Sequence, residues 1–162
     1  MILFIVLVLM ILNTDIKKNF YGSPSYYDEY VNALMWLKAD SRFDGVVLTE
    51  WTEGHQVVAL ANRRVIASSK VYPSEAAEVA SRYQDLATFF FTTDENRAED
   101  ILYKYGASYV FLRKRFDYKS SCKTKLPCRG TNTLLAKMLA KKPLKYLEKI
   151  YESKNFLIYK TK

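Results

Sequence analysis

Glu50-Trp51-Thr52-Glu53-Gly54-His55 gathers two carboxylates, an indole, a hydroxyl and an imidazole into six residues. Carboxylates and imidazoles accept hydrogen bonds and move protons, an indole offers a flat apolar face, and a glycine lets the backbone turn tightly or approach a ligand. The segment follows Val46-Val47-Leu48, a β-branched and apolar run that predicts a buried strand. Open α/β sheets hold ligands beyond the carboxyl ends of their strands, which is where this turn would fall. Glu53 could accept a bond from a hydroxyl there, or pair with Arg63 or Arg64. The alternative leaves Trp51 in the core, both glutamates in solvent and His55 as a polar residue at a helix start.

Few other residues could do chemistry. A zinc centre or a nucleophilic triad needs clustered ligands or a placed base, and the chain has one histidine and two cysteines. No glycine-rich phosphate loop is present, so no cofactor is expected on this segment. Cys122 and Cys128 fall in a basic stretch over residues 114–130 that predicts a loop; outside the cytoplasm they are expected to form a disulfide, with two free thiols as the alternative.

Charge is divided unevenly. Residues 1–103 hold 9 Lys and Arg against 14 Asp and Glu, whereas residues 104–162 hold 16 against 3. The formal charge of +8 therefore comes from the last third, and such a field favours phosphate-bearing lipid, lipid headgroups or nucleic acid, with a solvated basic face that has no specific partner as the alternative. Arg63, Arg64, Arg113, Lys114 and Arg115 are the candidate anion or phosphate contacts. Nucleic acid is not expected as a partner, because Tyr109, Phe111, Tyr146 and Phe156 lie on apolar strand patterns instead of an exposed stacking platform.

The elements that must position these residues follow from periodicity. Ser23-Pro24-Ser25 signals a helix start, and Tyr27, Tyr30, Val31, Leu34 and Leu37 recur at helical spacing, predicting a helix over Pro24–Ala39. A short helix is predicted over 56–61, a second strand over 65–67 and a helix from 73 toward 86. Thr93-Asp94-Glu95 caps a further helix over 96–105, which Gly106 ends, and Tyr109-Val110-Phe111-Leu112 predicts a third strand. A helix over 131–142 stops at Pro143, and the last twenty residues suggest a hairpin, with a helix over 144–151 as its rival. The fold class is α/β: a small mixed, mostly parallel sheet flanked by helices.

Residues 1–12 contain no polar side chain. Twelve residues make a helix of about 18 Å, short of the roughly 30 Å of bilayer hydrocarbon. A secretory signal and a buried core helix compete for this run, but the favoured reading is the end of a membrane helix and its linker over 1–20, followed by one extracytoplasmic α/β domain over 21–162.

Leu34-Met35-Trp36-Leu37, the strand Gly45-Val46-Val47-Leu48, the Trp51 and Gly54 turn with Gln56, Ala61-Asn62-Arg63 and Tyr109-Val110 together resemble the soluble C-terminal domain of the oligosaccharyltransferase catalytic subunit. The resemblance covers roughly residues 30–139. It implies a domain that follows the last membrane helix of a polytopic (C-type) glycosyltransferase, on the extracytoplasmic side. Lys17 and Lys18 argue for the cytoplasm by the positive-inside tendency, but two lysines do not outweigh the topology of a polytopic parent.

The family's WWDYG turn holds the Ser or Thr of the acceptor. Here Glu50, Trp51 and Thr52 stand in the WWD places, and Glu53 replaces the Tyr. A second family motif falls on Thr131, Leu134 and Met138, of which only Met138 is retained. Sequon specificity is therefore not carried over. What the resemblance implies is an acceptor groove formed by Glu50, Trp51, Thr52, Glu53, Gly54, His55 and Met138, with the divalent metal and the catalytic carboxylates in a membrane portion outside this segment. The implied partners are that membrane portion, a lipid-linked sugar donor and the anionic membrane surface. A membrane-tethered interaction module without transferase activity is the alternative.

Overall fold

A computed structural model describes residues 24–40, 45–67, 76–114 and 132–162. The apolar run at 1–12, Arg115, Cys122, Cys128 and Thr131 lie outside the described residues. In chain order the elements are α1 (Pro24–Ala39), β1 (Val46–Thr49), α2 (Gly54–Ala61), α3 (Ala76–Phe91), α4 (Glu95–Tyr105), β2 (Ala107–Arg113), α5 (Leu134–Leu139), β3 (Leu147–Glu152) and β4 (Phe156–Thr161).

The four strands form one mixed sheet in the order β1-β2-β4-β3. β1 runs parallel to β2, while β2–β4 and β3–β4 are antiparallel. The expected C-terminal hairpin is therefore present, and the rival helix over 144–151 is not. Among the described strands only β1 and β2 pair in parallel, a smaller share than the alternation of strands and helices predicts. The reason is that the expected strand at 65–67 contributes only one parallel bridge, Val65 to Val47. Ile66 and Ala67 instead turn into the core.

Side chains alternate across the sheet with the period of two that strands impose. Val47, Tyr109, Phe111, Phe156 and Ile158 face α1 and α2, where they meet Tyr30, Leu34, Leu37 and Val57. Leu48, Val110, Leu112, Leu157 and Tyr159 join the opposite core with residues of α3, α4 and α5, including Phe89, Ile101, Leu135 and Met138. The molecule is thus three layers, with a sheet buried on both faces, and this explains why its inner strands read as near-continuous apolar runs.

Local signals set the helix ends. Asp94 caps α4 by accepting from the amides of Asn96 at 3.0 Å and Arg97 at 3.3 Å. Gly106 ends it at φ +58, a left-handed conformation that costs glycine nothing. α3 runs on to Phe91, past the predicted end near residue 86, because Phe89, Phe90 and Phe91 are all buried against the sheet. α5 is confined to six residues within the longer predicted span.

Candidate functional site

The parallel pairing of β1 with β2 brings the carboxyl ends of both strands to one edge of the sheet, so the turn after Thr49 meets the end of β2 at Arg113. The turn closes through Glu53 N–H to the Glu50 carbonyl at 2.9 Å, and α2 begins at Gly54. Both glutamates are buried, 4% exposed for Glu50 and 7% for Glu53. They converge on one cation. Arg113 lies 3.3 Å from Glu50 Oε2 and 3.3 Å from Glu53 Oε1, and the Tyr30 hydroxyl donates to Glu53 Oε2 at 2.6 Å.

This accounts for a local irregularity. Glu53 stands at the N-cap of α2 but makes no side-chain cap bond, because its carboxylate is committed to Arg113 and Tyr30. The electrostatics are those of two carboxylates sharing one guanidinium in a dry setting. Burial pushes the Glu50 carboxyl above its ordinary value, with Arg113 opposing and Glu53 reinforcing the rise. Burial works against charge on Arg113, but Glu53 and Glu50 outweigh it and hold the guanidinium more firmly protonated. Tyr26, beside the same guanidinium, has its hydroxyl pKa raised chiefly by burial.

Trp51 is half-buried and packs edge-on against Tyr83 of α3, with ring centroids 6.2 Å apart and an interplanar angle of 87°. Thr52 is also half-buried, Gly54 is buried, and His55 is exposed in the first turn of α2. Solvent at this turn therefore meets part of the indole and the imidazole, while the carboxylates point inward. The two glutamates are buried and turned toward Arg113, and Arg63 reaches the end of α1. Met138 is fully buried in the core that Trp51 packs against, and its carbonyl accepts from the Tyr159 hydroxyl at 2.7 Å.

The anion candidates are dispersed. Arg63 reaches back to the end of α1, donating to the Asp40 carbonyl at 2.9 Å and lying 3.4 Å from the Leu37 and Lys38 carbonyls. It closes the helix C-terminus, a position that favours a cation. Arg64 is exposed nearby. Lys114 pairs with Glu152 at 2.8 Å. The Arg113 link to the turn was hidden in the sequence by about sixty intervening residues; the accessible signal was that two parallel strands end at the same edge.

Among the described residues, no three His, Cys, Asp or Glu side chains come together as metal ligands. Glu50 and Glu53 do not fit a divalent cation, because a guanidinium already occupies the place between them. Among the described residues, no helix is long and apolar enough to cross a membrane.

This architecture has a counterpart. The chain shares the fold of the C-terminal globular domain of oligosaccharyltransferase. The crystal structure of that domain from Archaeoglobus fulgidus (AfAglB-S2) superposes with a TM-score of 0.65 at 19% identity, covering 81% of this chain and 95% of the archaeal one. A second Archaeoglobus fulgidus oligosaccharyltransferase domain gives a TM-score of 0.57 at 16% identity, with 82% and 94% covered. In sequence, the chain is similar to subunit STT3B of dolichyl-diphosphooligosaccharide–protein glycosyltransferase from Arabidopsis thaliana, at 24% identity over 92 residues. The rice counterpart is 23% identical over 91 residues. The matched stretch is 57% and 56% of this chain but 12% of either plant protein. No protein-family profile matches the chain.

Proposed function

We propose that this chain is the outer globular domain of an oligosaccharyltransferase-like membrane glycosyltransferase. It helps bind the acceptor or the lipid-linked sugar donor and does not catalyse transfer by itself. It stands on the extracytoplasmic side, beside the membrane portion that carries the metal and the reacting groups. The observation that carries this reading is the fold match, which extends over 95% of the archaeal domain. The turn from Glu50 to His55 adds support, because it lies at the strand ends where α/β sheets hold ligands and offers Trp51 and His55 to an acceptor.

The Arg113 pairing bears on specificity. A pocket that recognises a hydroxyl by hydrogen bonds loses discrimination when its polar groups are engaged elsewhere, and Glu50 and Glu53 are engaged by Arg113. An acceptor other than the usual sequon is therefore the consistent choice. The same observation is what favours the second reading, a membrane-tethered interaction module without transferase activity.

Trp51→Ala and His55→Ala in the full-length parent protein separate the two. In the glycosyltransferase reading both raise the KM for acceptor while the protein stays folded. Wild-type transfer from both folded variants removes the groove role, and a parent that transfers no sugar leaves the module.

A further inference from the structure

Three ammonium groups converge on one carboxylate at the end of β3. Lys114 Nζ lies 2.8 Å from Glu152 Oε1, Lys141 Nζ lies 2.6 Å from the same oxygen, and Lys149 Nζ lies 2.6 Å from Oε2. Lys114 also donates to the Ser153 carbonyl at 2.5 Å. The three lysines come from different places: just past β2, just past α5, and within β3. Lys149 and Glu152 lie on β3 itself, and the tertiary fold brings Lys114 and Lys141 to them.

The charges at this cluster do not balance. One carboxylate cancels one of three ammonium charges, leaving two positive charges in mutual repulsion around a single acceptor. Lys114, Lys149 and Lys141 are 24%, 36% and 51% exposed, so the cluster opens to solvent. Glu29 does not correct the excess, since its two oxygens accept from the Asn155 amide at 2.8 Å and from Asn155 Nδ2 at 2.7 Å. Glu50 and Glu53 are turned to Arg113. Burial alone would raise the Glu29 carboxyl, yet its donors hold it low, while the three lysine hydrogen bonds depress Glu152 strongly.

A second observation points the same way. Lys141 has φ +57, the left-handed conformation in which glycine is the residue without strain. The position just past the Ala140 C-cap of α5 would be served by glycine, yet the residue present carries an ammonium group to the cluster.

We propose that Lys114, Lys141 and Lys149 form a binding site for a phosphate or diphosphate group, with Glu152 as the internal counter-ion that holds the three ammonium groups together in its absence. A dianion matches the uncompensated charge, and lysine binds phosphate as a point charge with three rotatable donors. The source is either a free phosphoryl compound or the headgroup of a lipid, which present the same chemistry.

The full chain would be titrated with pyrophosphate by calorimetry, and in parallel sedimented with phosphatidylcholine vesicles with and without phosphatidic acid. Lys141→Gly and Lys149→Gln are expected to weaken binding about tenfold each, whereas Lys104→Gln, which removes a lysine paired to Asp85 elsewhere, leaves it unchanged. Glycine accepts the backbone at 141, so Lys141→Gly separates loss of binding from loss of fold. Binding of pyrophosphate supports a free phosphoryl ligand, and binding of acidic vesicles alone supports a headgroup. Wild-type chain that binds neither, or binding that survives Lys141→Gly with Lys149→Gln, overturns the site. Either failure leaves the reading of the Trp51 turn intact, because these two lysines do not touch it.

Discussion

Arg113 is the residue on which the candidate turn depends. Removing one partner of a buried ion pair leaves an uncompensated charge and typically costs about 3–5 kcal/mol. Arg113→Met strands two carboxylates at once, so it is expected to destabilise by about that much at neutral pH and by less in acid, where Glu50, raised by burial, takes up a proton; denaturant titrations at two pH values would show it. Glu50 makes a separate prediction. Its folded pKa is raised by burial, then by Glu53, against the pull of Arg113. A group raised on folding contributes stability below its ordinary value near 4.5 and loses it as pH climbs through the folded value. Between pH 4 and 7 the wild type should therefore lose stability relative to Glu50→Gln, and parallel curves for the two would contradict this assignment.

At the scale of elements, the start of the parallel pair is set by a glycine. A Cβ on Gly45 would lie 2.1 Å from Ser108 Oγ and 2.3 Å from Ser108 Cβ, so β1 approaches β2 only because residue 45 has no side chain. Gly45→Ala is expected to cost about 1–3 kcal/mol through overpacking. Adding Ser108→Gly should recover most of that loss, and a double-mutant cycle in urea measures the coupling. Much of this layer was legible from sequence. α1 matches its predicted span, and Gly106 ends α4 as its type suggested, since caps are local chemistry. The segment at 65–67 was not legible, because a short apolar run has no period and a strand looks the same as a buried crossing. The Glu50–Glu53–Arg113 cluster was half legible: the turn stood out by composition, but its partner is fixed by register between distant strands. The lysine cluster at Glu152 was visible only as a basic bias, since its three members meet through the fold.

At the scale of the whole molecule, β2 and β4 each feed both cores, and this makes the two faces one cooperative unit. Phe156 and Ile158 pack toward α1 while Leu157 and Tyr159 pack toward α5. The chain's two tryptophans report on opposite faces, Trp36 on the α1 side and Trp51 on the α3 side. Single-tryptophan variants, Trp36→Phe and Trp51→Phe, should therefore each unfold with fluorescence and circular-dichroism midpoints that coincide within the variant; separated midpoints would mean that the layers melt independently. The order β1-β2-β4-β3 also has a consequence for biosynthesis. Of the four described strands, the last in chain order is an interior one, so until residues 156–161 are in place, β2 keeps an open edge and both apolar faces lack a central strand. A chain arrested before that point exposes an unpaired strand edge and apolar faces together, the combination that makes partly folded chains prone to aggregate.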